Sequence, residues 1–182
     1  MRPSHWDLEM YRSVQLPENV WGKLYLGSMP GRYEVFEESW QAIIECGIAR
    51  VICLVPPDEL EDKSPHYARA IEEQRLPWKH ESFPVGDFDA PDDRDGFWDL
   101  AQDVAVSLAS GEVILVHCAG GIGRTGMFSI CVLVALGLPV EDARAVIRSA
   151  GAAPENAAQD EIVDWVAALM GKRGHSYLSA DK

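Results

Sequence analysis

Basic residues are scarce in this chain. Sixteen lysines and arginines stand against 29 aspartates and glutamates, a formal charge of −13 over 182 residues. No positive stripe is present to neutralise a nucleic-acid backbone, and the same acidity opposes polyphosphorylated headgroups and anionic membranes. Cysteine is equally sparse. Cys46, Cys53, Cys118 and Cys131 show neither the spacing of a disulfide framework nor a Cys-x-x-Cys pair, and no metal-ligand spacing occurs elsewhere. No apolar run approaches the ~18 residues of a membrane span; the longest, Met127 to Leu138, reads as a buried helix. His5, Asp7, Glu9 and Arg12 replace the basic-then-apolar profile of an export signal. Repeats, low-complexity tracts and interdomain linkers are missing too. What is left is a globular composition, 47% hydrophobic and 25% charged, suited to one domain over residues 1–182 with ends 1–14 and 172–182 loosely attached.

Apolar and polar segments alternate in the manner of an α/β layered fold. Strands are expected at Trp21–Leu26, Arg50–Val55 (stopped by Pro56 and Pro57), Trp78–Phe83 and Val113–Val116. Helices are expected at Tyr33–Cys46, Pro65–Arg75, Arg94–Ser110, Arg124–Leu136, Pro139–Ala150 and Glu155–Met170. Trp98, Trp165, Phe128, Met127 and Cys131 fall on apolar helical faces and read as core.

Between the last strand and the next helix lies His117-Cys118-Ala119-Gly120-Gly121-Ile122-Gly123-Arg124-Thr125-Gly126. A strand that ends at Cys118 and a helix that starts near Gly123 leave backbone N–H groups without intrahelical partners, and such concave rows bind anions. Arg124 adds a planar fork that matches two phosphate oxygens, and its positive field favours a thiolate at Cys118. One loop therefore binds a phosphoryl group and arms a nucleophile beneath it.

This segment resembles the His-Cys-x5-Arg-Ser/Thr signature of the cysteine-dependent protein tyrosine phosphatase superfamily, and within it the dual-specificity branch. His117, Cys118, Gly121, Gly123, Arg124, Thr125 and Gly126 carry the match, and Leu24-Tyr25-Leu26-Gly27 is similar to that branch's opening strand. The resemblance implies a three-layer fold with a central, mostly parallel twisted sheet flanked by helices. It also implies phosphomonoester hydrolysis through a phosphocysteine, needing no cofactor or metal. Cys118 is then the nucleophile, with Ala119, Gly120, Gly121, Ile122, Gly123 and Arg124 holding the phosphate. Thr125 donates to the leaving sulfur, and His117 braces the loop. A general acid is expected upstream in Phe83-Pro84-Val85-Gly86-Asp87-Phe88-Asp89-Ala90-Pro91. Spacing to Cys118 leaves Asp87 and Asp89 both open; the branch's acid, three residues after a proline, corresponds to Asp87, with Asp89 in reserve. Asp92 or Asp93 reads as the cap of the following helix.

Downstream, Val146-Ile147-Arg148 and Pro154-Glu155-Asn156-Ala157-Ala158-Gln159 echo the branch's Val-Arg…Arg-Pro…Gln stretch, although Gly151 and Ala152 stand in place of the second arginine and its proline. By resemblance Gln159 orients the hydrolytic water and Arg148 braces the loop from behind; on the residues alone both read as surface positions of helices. By the same resemblance Cys53 lies on a strand beside the nucleophile's, where it could shield Cys118 as a disulfide, while alone it reads as a buried strand thiol. The implied substrate is a phosphorylated protein, tyrosyl or seryl/threonyl. A small phosphorylated metabolite is the alternative, and a catalytically silent phosphate-binding module a second. The loop's one cation, Arg124, suits a singly phosphorylated group, with no nucleic-acid or membrane partner; the sequence leaves oligomeric state open. A thiolate enzyme needs a reducing compartment, so a cytoplasmic location is expected.

Overall fold

The computed structural model describes residues 10–178, with side chains for residues 10–171. Five strands form one mixed sheet: β1 (Tyr11–Ser13), β2 (Lys23–Gly27), β3 (Arg50–Cys53), β4 (Lys79–Ser82) and β5 (Val113–His117), in the order β1-β2-β5-β3-β4. Only β1 runs antiparallel to its neighbour. Among the described residues seven helices flank the sheet: α1 (Phe36–Glu45), α2 (Pro57–Lys63), α3 (Pro65–Glu72), α4 (Arg94–Ala109), α5 (Gly123–Ala135), α6 (Val140–Ser149) and α7 (Ala157–Leu178).

Strand alternation divides the core in two. Val51 and Leu115 face Ala42 and Ile43 of α1, with Tyr11, Ile48 and Trp78 completing that cluster. Leu24, Leu26, Ile52, Ile114 and Val116 face the opposite layer, built from α4, α5, α6 and α7. Helix α5 is buried from Gly123 to Val134 and packs against α4, α6 and α7, which is why its sequence is apolar around the whole circumference. Trp98, Phe128, Met127 and Cys131 are buried there, and Trp165 packs at the margin of the same cluster.

Three departures from the sequence expectation bear on function. Residues 11–13, expected in a loose end, are the edge strand β1: Tyr11 pairs with Gly27, Arg12 with Leu26 and Ser13 with Tyr25. The Tyr11 ring is buried, and that burial anchors the strand. Residues 1–9 and 179–182 of the expected loose ends lie outside the described residues, whereas the backbone of 172–178 continues α7. Second, the segment after Pro56 does not simply stop β3. Pro57 opens the seven-residue helix α2, where a missing N–H costs nothing. Third, β2 begins at Lys23, not Trp21; Gly22 N–H already bonds Leu108 O and Trp21 is exposed.

Candidate active site

The parallel strands β2, β3 and β5 end at one edge of the sheet, and the segments leaving them meet there, the usual place for a site in such sheets. The loop between β5 and α5 holds Cys118 at its base. Cys118 is buried, and its Sγ accepts the Gly121 N–H at 3.2 Å. Gly121 has φ +72°, and a side chain there would meet Gly27 O at 2.3 Å, so only glycine allows the turn to pass this close to the end of β2. Met29 N–H fastens the loop through Ala119 O, at 3.2 Å. Ile122 precedes α5 without a side-chain cap, which leaves the first helical N–H groups facing the loop.

His117 is fully buried. Burial holds its pKa down to about 3, so the imidazole is neutral and carries one N–H. Nδ1 lies 3.2 Å from Cys118 O, which can only accept, so the proton sits on Nδ1; the Tyr67 hydroxyl then donates to Nε2 at 3.1 Å. The histidine is thus a neutral brace between α3 and the nucleophile's own peptide.

Arg124, on the first turn of α5, is buried, and both terminal nitrogens of its guanidinium are hydrogen-bonded. Nη1 and Nη2 form a fork to Glu59, at 2.8 and 3.1 Å; Nη1 also donates to Val85 O at 2.9 Å, and Nη2 reaches Asp87 at 3.0 Å. Burial alone would raise the Glu59 carboxyl, but hydrogen bonds and charge from Arg124 and Lys63 outweigh it and bring the carboxyl down to about 2. Glu59 is absent from the sequence expectation. It sits on the short helix α2 with Asp58, Glu61 and Asp62, a segment for which the sequence predicts no element.

The segment between β4 and α4 brings Asp87, half exposed, onto Arg124. Asp89 turns back instead: its N–H bonds Gly86 O and its carboxylate covers the Gly86 Cα. Asp93 caps α4, accepting Gly96 N–H at 2.9 Å. The start of α7 holds this segment in place. Asn156 caps α7 through Gln159 N–H and donates to Phe88 O at 2.7 Å, while Gln159 donates to Asp89 O at 3.3 Å. Gln159 is fully buried, contrary to the solvent-facing reading, and its Oε1 lies beside Gly123. The Glu155 carboxylate also hangs over Gly123, at the entrance of α5.

Other expected residues are placed differently. The Thr125 hydroxyl is buried without a hydrogen-bond partner among the described residues, so no bond to Sγ is formed in this structure. Arg148 is exposed on α6. Its expected position behind the loop is occupied by Arg12, which donates to Gly121 O and, at 2.6 Å, to Gly151 O. Cys53 pairs in register with His117; burial pushes its thiol up to about 12, and it donates to Val55 O at 3.8 Å.

Ala119, Gly120, Gly121, Ile122 and Gly123 bring no charge to the loop, whose cation is Arg124. Among the described residues no cluster of potential metal ligands occurs, and no helix is long and apolar enough to cross a membrane. The arrangement brings a thiol, a glycine-rich turn with a cation and a carboxylate together at the ends of the parallel strands, groups that can act on a phosphoryl group.

No curated protein sequence matches the chain. Among solved structures it is similar to the kinase-associated phosphatase KAP with a serine in place of its catalytic cysteine, at a TM-score of 0.74 and 18% identity, over 89% of this chain and 94% of that one. It is also similar to Tk-PTP in its active form, at 0.65 and 22%, over 92% and 98%. PTPMT1 in complex with PI(5)P aligns at 0.65 and 14%, over 88% and 97%. These likenesses establish the fold. Residues 23–170 match the family described as "Swiss Army Knife protein, DSP-PTPase phosphatase domain". With that match spanning most of the chain and its phosphate loop, the protein belongs to this dual-specificity branch of the protein tyrosine phosphatase superfamily, a family of phosphatase hydrolases.

Proposed function

We propose that the protein hydrolyses phosphomonoesters of protein side chains through a phosphocysteine, without a metal. The observation that carries this reading is the meeting of the Cys118–Arg124 loop with Asp87 from the separate segment after β4, with Asp87 on the guanidinium of Arg124. An incoming phosphoryl group takes Arg124 Nη2 from Asp87 and accepts from the N–H groups of the loop. Cys118 thiolate then attacks phosphorus; the S–P bond forms, the P–O bond to the substrate breaks, and the Asp87 proton goes to the departing oxygen. Water attacks the phosphocysteine with Asp87 as base, releasing phosphate and the thiolate. Charge on the equatorial oxygens is met by Arg124 and the backbone amides throughout.

Gln159, buried beside Gly123, is suited to orient the attacking water. The buried Thr125 hydroxyl has no partner among the described residues, which leaves it available to donate to the leaving sulfur. Phe88 and Ile122 are exposed beside Asp87 and in the loop, which favours a substrate with an apolar or aromatic body. Glu59, Asp87 and Glu155 around a single loop cation disfavour headgroups with several phosphates.

The test is aryl phosphate hydrolysis in chelator by wild type, Cys118→Ser, Asp87→Ala and Asp89→Ala, followed by phosphotyrosyl and phosphoseryl peptides. Loss in Cys118→Ser and Asp87→Ala with retention in Asp89→Ala is expected. Activity surviving in Cys118→Ser would end the proposal, and no peptide turnover beside brisk hydrolysis of small phosphomonoesters would move the substrate to metabolites.

A further inference from the structure

We infer that Arg12, on the edge strand β1, is a positioning residue for the phosphate loop, setting the Gly121–Ile122 peptide so that the loop presents an N–H, not a carbonyl, to the bound anion. The inference rests on the phosphatase reading above for its substrate, but its geometry is independent of turnover.

Alternation along β1 puts Tyr11 into the α1-side core and Arg12 on the opposite face, and the Arg12–Leu26 pairing places it one residue from Gly27, against which Gly121 packs. Its guanidinium donates to two carbonyls, Gly121 O in the loop and Gly151 O beyond α6. In a trans peptide the C=O and the following N–H point in opposite directions. Fixing Gly121 O on the Arg12 side therefore turns Ile122 N–H to the other side of the loop, while Gly121's own N–H stays on Cys118 Sγ. A glycine with no side chain to hold it flips readily, and a flipped peptide would aim a carbonyl at the phosphate.

Gly151 makes room for this brace. A side chain there would begin 2.9 Å from Arg12 Nη1 and 3.6 Å from its Cδ. Arg148, three residues earlier, stays on the surface. Burial lowers the Arg12 pKa from its ordinary value, and negative charge on Cys118 opposes that shift. The strand the sequence leaves in a loose end thus carries a part of the site.

The experiment compares wild type, Arg12→Ala and Arg12→Lys in two assays: aryl phosphate kcat/KM, and the rate of Cys118 alkylation by iodoacetamide against inorganic phosphate concentration. Circular dichroism and thermal unfolding accompany both. A lysine keeps the charge but lacks the planar fork whose two separate nitrogens reach Gly151 O and Gly121 O, so both variants are expected to lose roughly 10- to 100-fold in kcat/KM, and phosphate is expected to protect Cys118 about 10-fold less well. Full protection by phosphate in a folded Arg12→Ala overturns the inference. Complete rescue by Arg12→Lys overturns it too, since charge alone would then carry the effect. If Arg12→Ala unfolds, the folded Arg12→Lys decides by the same readouts. Wild type that is protected by phosphate yet hydrolyses nothing refutes the phosphatase reading and leaves the loop's geometry to be judged by the protection assay.

Discussion

Replacing Glu59 by glutamine keeps the shape of the side chain and removes the charge that faces Arg124. The carboxyl stands at about 2 instead of 4.5, which corresponds to roughly 3 kcal/mol of preference for the ionised form in the folded state. Water still reaches Lys63, 30% exposed, on one side of the carboxylate, and Asp87 and Val85 O continue to hold the guanidinium. Screening and these remaining partners reduce the expected loss to ~2 kcal/mol at neutral pH. The sign follows from the depressed pKa: the contribution is complete above 4.5 and disappears as pH falls toward 2. Urea unfolding of wild type and Glu59→Gln should therefore show a gap of ~2 kcal/mol at pH 7 that narrows steadily between pH 5 and pH 3, with unchanged m-values. Activity should fall with it, because Arg124 loses the fork that fixes its plane. A gap that is absent at pH 7, or is the same at pH 3, would refute the account of Arg124 as a cation held by Glu59.

Tyr67→Phe removes the donor to His117 Nε2 and leaves a buried acceptor empty; a loss of ~1–2 kcal/mol is expected in denaturant unfolding. Gly121→Ala forces a side chain to φ +72° against Gly27 O, and a destabilisation of ~3 kcal/mol or more is expected, with phosphate no longer protecting Cys118 from alkylation. Asn156→Ala removes both the α7 cap and the bond to Phe88 O. It should cost about 1 kcal/mol in stability, and hydrogen exchange at residues 86–89 should quicken while kcat falls.

The part of this site that was legible in sequence is local. Cys118, the glycine-rich turn and Arg124 lie within one short loop bounded by apolar runs, so chain geometry alone brings them together. The same holds for the apolar runs of β3 and β5, the all-apolar α5 and a cap at Asp92 or Asp93, which Asp93 supplies. Between Asp87 and Asp89, two residues apart on a loop, spacing could not choose; the turn that folds Asp89 onto Gly86 separates them. Glu59 lies 65 residues from Arg124 and Arg12 lies 109 from Gly121, with no periodicity to link either pair. A charged seven-residue helix looks like a turn, and a three-residue edge strand looks like a tail, because neither is stable without its neighbours. Composition and local pattern determined the chemistry at hand: one thiol, one cation and an acidic loop. Sheet register and helix packing decided which carboxylate holds the cation and which arginine holds the loop, since such contacts form only once the sheet has brought distant segments side by side.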